Sequence, residues 1–195
     1  MKKLCLIFLL TFSAILMSCS TAEDTISFEA MNTFMTVRTF GIKSAKANQE
    51  VKKRIEQLED TISTTRDCSD VWKINHSVGN PVLINKDTEL LTDFSLKMAN
   101  VTEGAFNPCL YPVIREWGFT TGEYKVPDSH VIETLLDNTD YTKGKLFYEE
   151  TIPSVSQAAA KIHLEKGMML DFGAVGKGFE AFVILDENIN KEQLL

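Results

Sequence analysis

Asp171 and Lys177 are the residues of this sequence best spaced to do chemistry together. They bracket the run Asp171-Phe172-Gly173-Ala174-Val175-Gly176-Lys177-Gly178. A carboxylate delivered at the end of an apolar segment can orient a polar group of a ligand. The three glycines behind it let backbone approach that ligand closely. Backbone N–H groups of such a turn, with a helix start behind them, can hold anionic oxygens. Lys177 adds positive charge at the same place. The spacing is not that of a Walker loop. A glycine-rich turn from strand to helix is also a common structural device, so this run alone assigns no function.

Two other segments carry candidates. In Glu103-Gly104-Ala105-Phe106-Asn107-Pro108, Phe106 falls in a turn where an aromatic ring could stack on a flat ligand. The Trp117-Gly118-Phe119 that follows supplies more aromatic surface, although Phe106 and Trp117 could equally seal a core. Met31-Asn32-Thr33 kinks an otherwise apolar β-like stretch. His76, His130 and His163 belong to no motif and read as surface or strand residues.

The elements that must position these residues are α+β. Thr25 to Phe40 reads as a strand or strand pair broken near Met31-Asn32-Thr33. Ser44 is a good N-cap for a helix through Ile62, with Ala47, Val51, Ile55, Leu58 and Ile62 on one face. Residues 63–80 are loop-like, with a short helix at Ser69 to Ile74. Pro81 to Ile84 is a brief strand. A helix over 86–102 is expected to turn Leu90, Leu91, Phe94, Met98 and Val101 inward, and Gly104 stops it. Pro108 starts a short helix ending at Trp117-Gly118, and Asp128 or Ser129 caps another over 128–137. Thr142 to Tyr148 and Ala158 to Leu164 read as strands. Gly167 then turns the chain into Met168 to Phe172, which is expected to form a hairpin with the preceding strand.

The composition is that of a globular protein, with 44% hydrophobic and 24% charged residues in 195. Its net charge of −7 counts against a nucleic-acid partner, which calls for a basic face. Residues 1–18 read as a secretion signal, with Lys2 and Lys3 before an apolar run from Leu4 to Met17. That run is short for a membrane span. Leu16-Met17-Ser18-Cys19 resembles the lipobox of bacterial lipoproteins, which implies cleavage before Cys19 and lipidation of it. The expectation is a membrane-anchored lipoprotein of the cell envelope facing the periplasm, with residues 19–25 as tether and 26–195 as one domain. Removing residues 1–18 leaves 18 basic against 27 acidic residues, or −9. Cys68 and Cys109 read as two unpaired, partly buried thiols.

Taken in order, the motifs resemble the ApbE family of FAD:protein FMN transferases. Met31-Asn32-Thr33 resembles its Met-Gly-Thr, with Asn32 for glycine. Ile62 to Thr65 and Ser69 to Asn75 resemble its serine-rich loop ending in asparagine. Gly104 to Pro108 is similar to its Gly-Ala-Phe-Asp-Pro, with Asn107 for aspartate, and Trp117-Gly118-Phe119 matches. Asp171 to Phe179 resembles its Asp-x-Gly-Gly-x-x-Lys-Gly-Tyr. The resemblance implies an ApbE-like (T-fold-like) α+β domain with a mixed or antiparallel sheet and flanking helices. It implies FAD as substrate, Mg²⁺ as cofactor, and transfer of FMN to a Ser/Thr hydroxyl of an acceptor protein with release of AMP. By position, Met31, Thr65, Ala105, Phe106, Asn107, Asp171 and Lys177 would contact FAD. Ala174 would offer its carbonyl to the metal. FAD is expected between the Asp171 turn and the 104–108 turn.

The resemblance ends near Phe179. The later strands of the family, and the segment that supplies side-chain metal ligands, have no counterpart before Leu195. A C-terminally incomplete domain is therefore expected. It leaves three alternatives to transfer: a flavin-binding lipoprotein without activity, an inactive fragment, or Mg²⁺-dependent FAD hydrolysis to FMN and AMP.

Overall fold

The computed structural model describes residues 22–148, 160–181 and 184. The lipobox with Cys19, the signal segment, residues 158 and 159, and the chain after 184 lie outside the described residues. The chain divides into two compact units, Met1–Arg54 and Ile55–Leu195.

The first unit holds a β-hairpin, β1 (Glu23–Ala30) and β2 (Thr33–Phe40). The strands pair antiparallel, from Glu23 opposite Phe40 to Ala30 opposite Thr33. The expected break at Met31-Asn32 is the two-residue turn that joins them. Met31 has φ +48° and Asn32 φ +53°, the geometry of a type I′ hairpin turn, whose twist matches that of the strands. Asn tolerates this conformation; Met rarely adopts it. β1 begins at Glu23, so the strand takes up residues expected in the tether. Helix α1 (Ser44–Ile62) follows, and the division between units falls within it. Ser44 is the first helical residue rather than the cap before it. Asn48, fully buried, enters the face expected to be apolar and donates to the Asp24 carboxylate at 2.7 Å.

In the second unit, α2 (Asp70–Asn75) is capped by the Ser69 side chain, which accepts from Trp72 N–H. Strand β3 (Val82–Ile84) leads to α3 (Lys86–Val101), capped by Asn85. Then come α4 (Tyr111–Glu116), α5 (Ser129–Leu136), a 3₁₀ turn at Tyr141–Lys143, β4 (Lys145–Tyr148) and β5 (Ala160–His163). Asp128 caps α5 by accepting from His130 N–H at 2.8 Å. Helix α4 begins three residues after Pro108, with Pro112 in its first turn. β5 is central, antiparallel to β3 on one side and β4 on the other. Leu58, Val71, Leu91, Ile162, Leu164, Leu170 and Phe172 form the core beneath.

Two expectations are corrected. The inward face of α3 is Thr88, Leu91, Thr92, Ser95 and Ala99, all fully buried, whereas Leu90, Phe94 and Val101 are exposed. This helix packs against β4, β5 and the 3₁₀ turn, where small side chains allow close approach. Met168 to Phe172 is not a strand. Both edges of β5 are already taken, and the segment's backbone groups bond elsewhere. Leu170 is held by the Asn75 side chain, and Asp171 N–H donates to the Pro108 carbonyl at 2.9 Å.

Candidate functional site

Three of the motif segments meet in the second unit. The Asn75 amide donates to the Leu170 carbonyl at 2.9 Å and accepts from its N–H at 2.7 Å. One residue on, the Asp171–Pro108 hydrogen bond ties the glycine-rich run to the 104–108 turn. The loop ending in Asn75, the turn at Phe106 and the Asp171 run are thus joined backbone to backbone or through one amide. Met31 belongs to the first unit.

Asp171 Oδ1 accepts from Gly173 N–H at 2.8 Å. This local turn aims the carboxylate back over the glycine: a Cβ on Gly173 would stand 3.3 Å from Oδ1. Ala174 and Lys177 are exposed, and residues 176–181 are helical. Phe106 is half-buried. Asn107 is occupied structurally, donating to the Thr139 carbonyl and accepting from Cys109 N–H, both at 2.8 Å. Trp117 does not seal the core; it is half exposed and stacks on Phe119 with ring centroids 6.3 Å apart. Gly118, at φ +81°, is required between them, because a Cβ there would stand 2.0 Å from the Glu123 carbonyl oxygen.

Thr65 lines a cavity of about 200 Å³ together with Trp72, His76, Tyr111, Arg115 and Thr120. Trp72 and His76 stack at 3.9 Å. A second cavity of about 690 Å³ shares Arg115, Thr121 and Met169 with the first and continues to Tyr124 and Lys125. Ala174 faces a different place. With Val175 and Phe179 it lines an apolar groove of about 680 Å³ against Leu90 and Phe94 of α3.

Burial pushes the Cys109 thiol up to about 12, so it is no nucleophile at neutral pH. It is fully buried and Cys68 is exposed, both as free thiols. Burial, then the neighbouring Glu59, raises Glu180 to about 7, with Lys177 opposing. Among the described residues, no group of three or more His, Cys, Asp or Glu side chains could hold a metal ion. Ala174's carbonyl without carboxylates does not fit a Mg²⁺ site.

The structural roles of Trp72, His76, Arg115 and Glu180 were not legible in sequence. Trp72 and His76 sit four residues apart on α2 and its C-cap, whereas Arg115 and Glu180 come from other elements and belong to none of the motifs read in sequence.

Residues 31–188 match the profile of the ApbE family. The chain belongs to that family. Every candidate contact from Met31 to Lys177 falls within the ApbE match. A FAD:protein FMN transferase of Treponema pallidum is 29% identical over 158 residues, covering 77% of this chain and 42% of that protein. One of Klebsiella pneumoniae is 29% identical over 133 residues, covering 68% and 40%. The ApbE protein of Thermotoga maritima superposes with a TM-score of 0.73 at 21% identity, over 84% of this chain and 51% of that one. The flavin transferase ApbE of Vibrio cholerae gives 0.72 at 17%, over 86% and 53%. These structural likenesses establish the ApbE fold, and with it the α+β class. The chain spans about half the length of these ApbE relatives or less.

Proposed function

We propose that this chain binds FAD and transfers its FMN half to a Ser or Thr hydroxyl of an acceptor protein, releasing AMP. The observation that carries the reading is the junction of Asn75, Leu170, Asp171 and Pro108, which gathers three ApbE motif segments at one place. In this reaction the acceptor oxygen forms a bond to the phosphorus of the FMN half. The P–O bond to the AMP phosphate breaks, its electron pair stays on AMP, and the hydroxyl proton passes to solvent. Such a reaction asks the protein mainly for positioning and for positive charge near phosphoryl oxygens. Lys177 supplies that charge, since the N–H groups of Gly173, Val175 and Gly176 are engaged within the turn. Asp171, with one oxygen engaged by Gly173, orients a polar group of the cofactor rather than acting as base. Thr65, Ala105 and Phe106 complete the FAD contacts of the second unit in this reading.

Magnesium dependence is what the family resemblance implies. The same reading makes the chain a lipoprotein, lipidated at Cys19 and held at the envelope membrane facing the periplasm. Among the described residues, no helix is long and apolar enough to cross a membrane. The test is titration of the purified chain with FAD, with and without Mg²⁺, followed by incubation with a Ser/Thr acceptor peptide. Saturable binding and a peptide gaining the mass of FMN are expected. FMN and AMP with no labelled peptide would replace transfer by hydrolysis, and saturable binding with neither product would leave a flavin-binding protein.

A further inference from the structure

Arg115 is a cation that, among the described residues of this acidic protein, has no carboxylate partner. The chain carries a net charge of −7, and Arg66, Lys86, Lys97 and Lys125 each pair with an acidic side chain. Among the described residues, Arg115 forms no ion pair. It stands where the cavities of about 200 and 690 Å³ meet and lines both. Its neighbour Glu116 is engaged by Lys125.

The smaller cavity has the chemistry of an anion site. No carboxylate is among its described lining residues. The wall offers the hydroxyls of Thr65, Tyr111 and Thr120, with Tyr111 and Thr120 3.2 Å apart and hydrogen-bonded. His76 Nδ1 lies 2.7 Å from the Trp72 carbonyl. Arg115 also closes the last turn of α4, where positive charge suits the helix dipole. That accounts for a cation at the helix end, but not for a carboxylate-free cavity beside it.

Size sets what can enter. A cavity of about 200 Å³ lies below the roughly 300–1,000 Å³ typical of whole small-molecule sites, so it takes one group of a larger ligand. A guanidinium presents a planar fork that matches phosphate oxygens. We infer that Arg115 and the hydroxyl-lined cavity beside it bind a phosphoryl group of the dinucleotide. The identity of the ligand rests on the flavin reading above; the anion site does not.

The test is calorimetric titration of the full chain in non-ionic detergent with FAD, riboflavin and inorganic pyrophosphate, comparing wild type, Arg115→Gln and Arg115→Lys. Melting curves check that the variants remain folded. Arg115→Gln is expected to weaken FAD and pyrophosphate about tenfold or more, with partial recovery in Arg115→Lys. Riboflavin, which has no phosphate, should bind all three alike. Unchanged FAD and pyrophosphate affinity in Arg115→Gln overturns the proposal and leaves the flavin reading standing. Arg115-dependent pyrophosphate binding by a chain that ignores FAD sustains the anion site and removes the flavin reading. No binding of any probe by the folded wild type overturns both.

Discussion

Asn75 holds Leu170 by both of its backbone groups, across 95 residues of chain, through hydrogen bonds of 2.9 and 2.7 Å. Both residues are buried. A side-chain amide here does the work of a neighbouring strand, since β5 is paired on both edges and cannot extend a ladder to Leu170. The bond pair fixes where Leu170 lies, and Asp171 follows with its own N–H on Pro108. Asn75 therefore positions the candidate carboxylate without touching it.

Asn75→Ala leaves the Leu170 N–H and carbonyl buried without partners. Each unmet group costs about 1–3 kcal/mol, so a loss of about 2–4 kcal/mol in urea-unfolding stability is expected. Asn75→Asp keeps the acceptor but sets an oxygen against the Leu170 carbonyl, and should also destabilise. An unchanged unfolding midpoint in Asn75→Ala would show that the amide does not hold this segment.

The hairpin, α1, α5 and β3 were legible because local signals agreed: period-2 or helical spacing, Asp128 at a cap, Gly41 after a strand. The inward face of α3 was not. Thr88, Thr92 and Ser95 read as polar, yet packing against β4 and β5 needs their small size more than it needs Leu90 or Phe94. Met168 to Phe172 looked like a strand because its residues are apolar. What decides its pairing is the occupancy of β5, a tertiary fact. The motif residues were legible as an ordered set, whereas Asn107 proved to be engaged with Thr139 and Cys109. Arg115 and His76 gave no signal, since what marks them is the cavity they share.

Gly118→Ala tests the turn behind Trp117. Its φ of +81° disfavours any side chain, and the added Cβ would clash with the Glu123 carbonyl 2.0 Å away. Backbone must shift, at a cost of about 1–3 kcal/mol. The Trp117–Phe119 stack should separate, changing tryptophan emission. A native spectrum with native stability would mean the turn accommodates the methyl group.

Glu180 gives stability a pH dependence with a defined sign. Its carboxyl is raised from 4.5 to about 7 by burial and by Glu59, against the pull of Lys177, and Glu59 itself pairs with Arg66 at 3.0 Å. The folded state then holds the proton more tightly than the unfolded chain. The contribution is fully present below pH of about 4.5 and is lost as pH rises to about 7. One pKa unit is about 1.4 kcal/mol, so up to about 3 kcal/mol is involved. Glu180→Gln should flatten this part of the stability profile in urea melts at pH 5 and 8. An equal pH slope in both proteins would remove Glu180 as its source.

Cys68 and Cys109 should differ in reactivity. Cys68 is exposed, whereas Cys109 is fully buried with its thiol pushed up to about 12. Alkylation of the native protein followed by peptide mapping should label Cys68 quickly. Cys109 should react only in denaturant, because the thiolate is the reactive species and burial suppresses it. Fast native labelling of Cys109 would mean that the 104–108 turn opens readily.

Asp171→Ala separates a ligand-orienting role from a purely local one. The carboxylate's visible bond is to Gly173 N–H, and losing a neighbour-to-neighbour bond at a half-exposed turn costs stability by about 1 kcal/mol. If the carboxylate also orients the cofactor, FAD affinity should fall about tenfold or more, the scale of a hydrogen bond to a charged group. Asp171→Asn keeps an acceptor for Gly173, so it should preserve the turn while losing the charge. A drop in FAD affinity in both variants, with Asp171→Asn as stable as wild type, assigns the carboxylate to the ligand. Unchanged FAD affinity in both would confine Asp171 to shaping the turn, and Lys177 and Arg115 would carry the polar recognition.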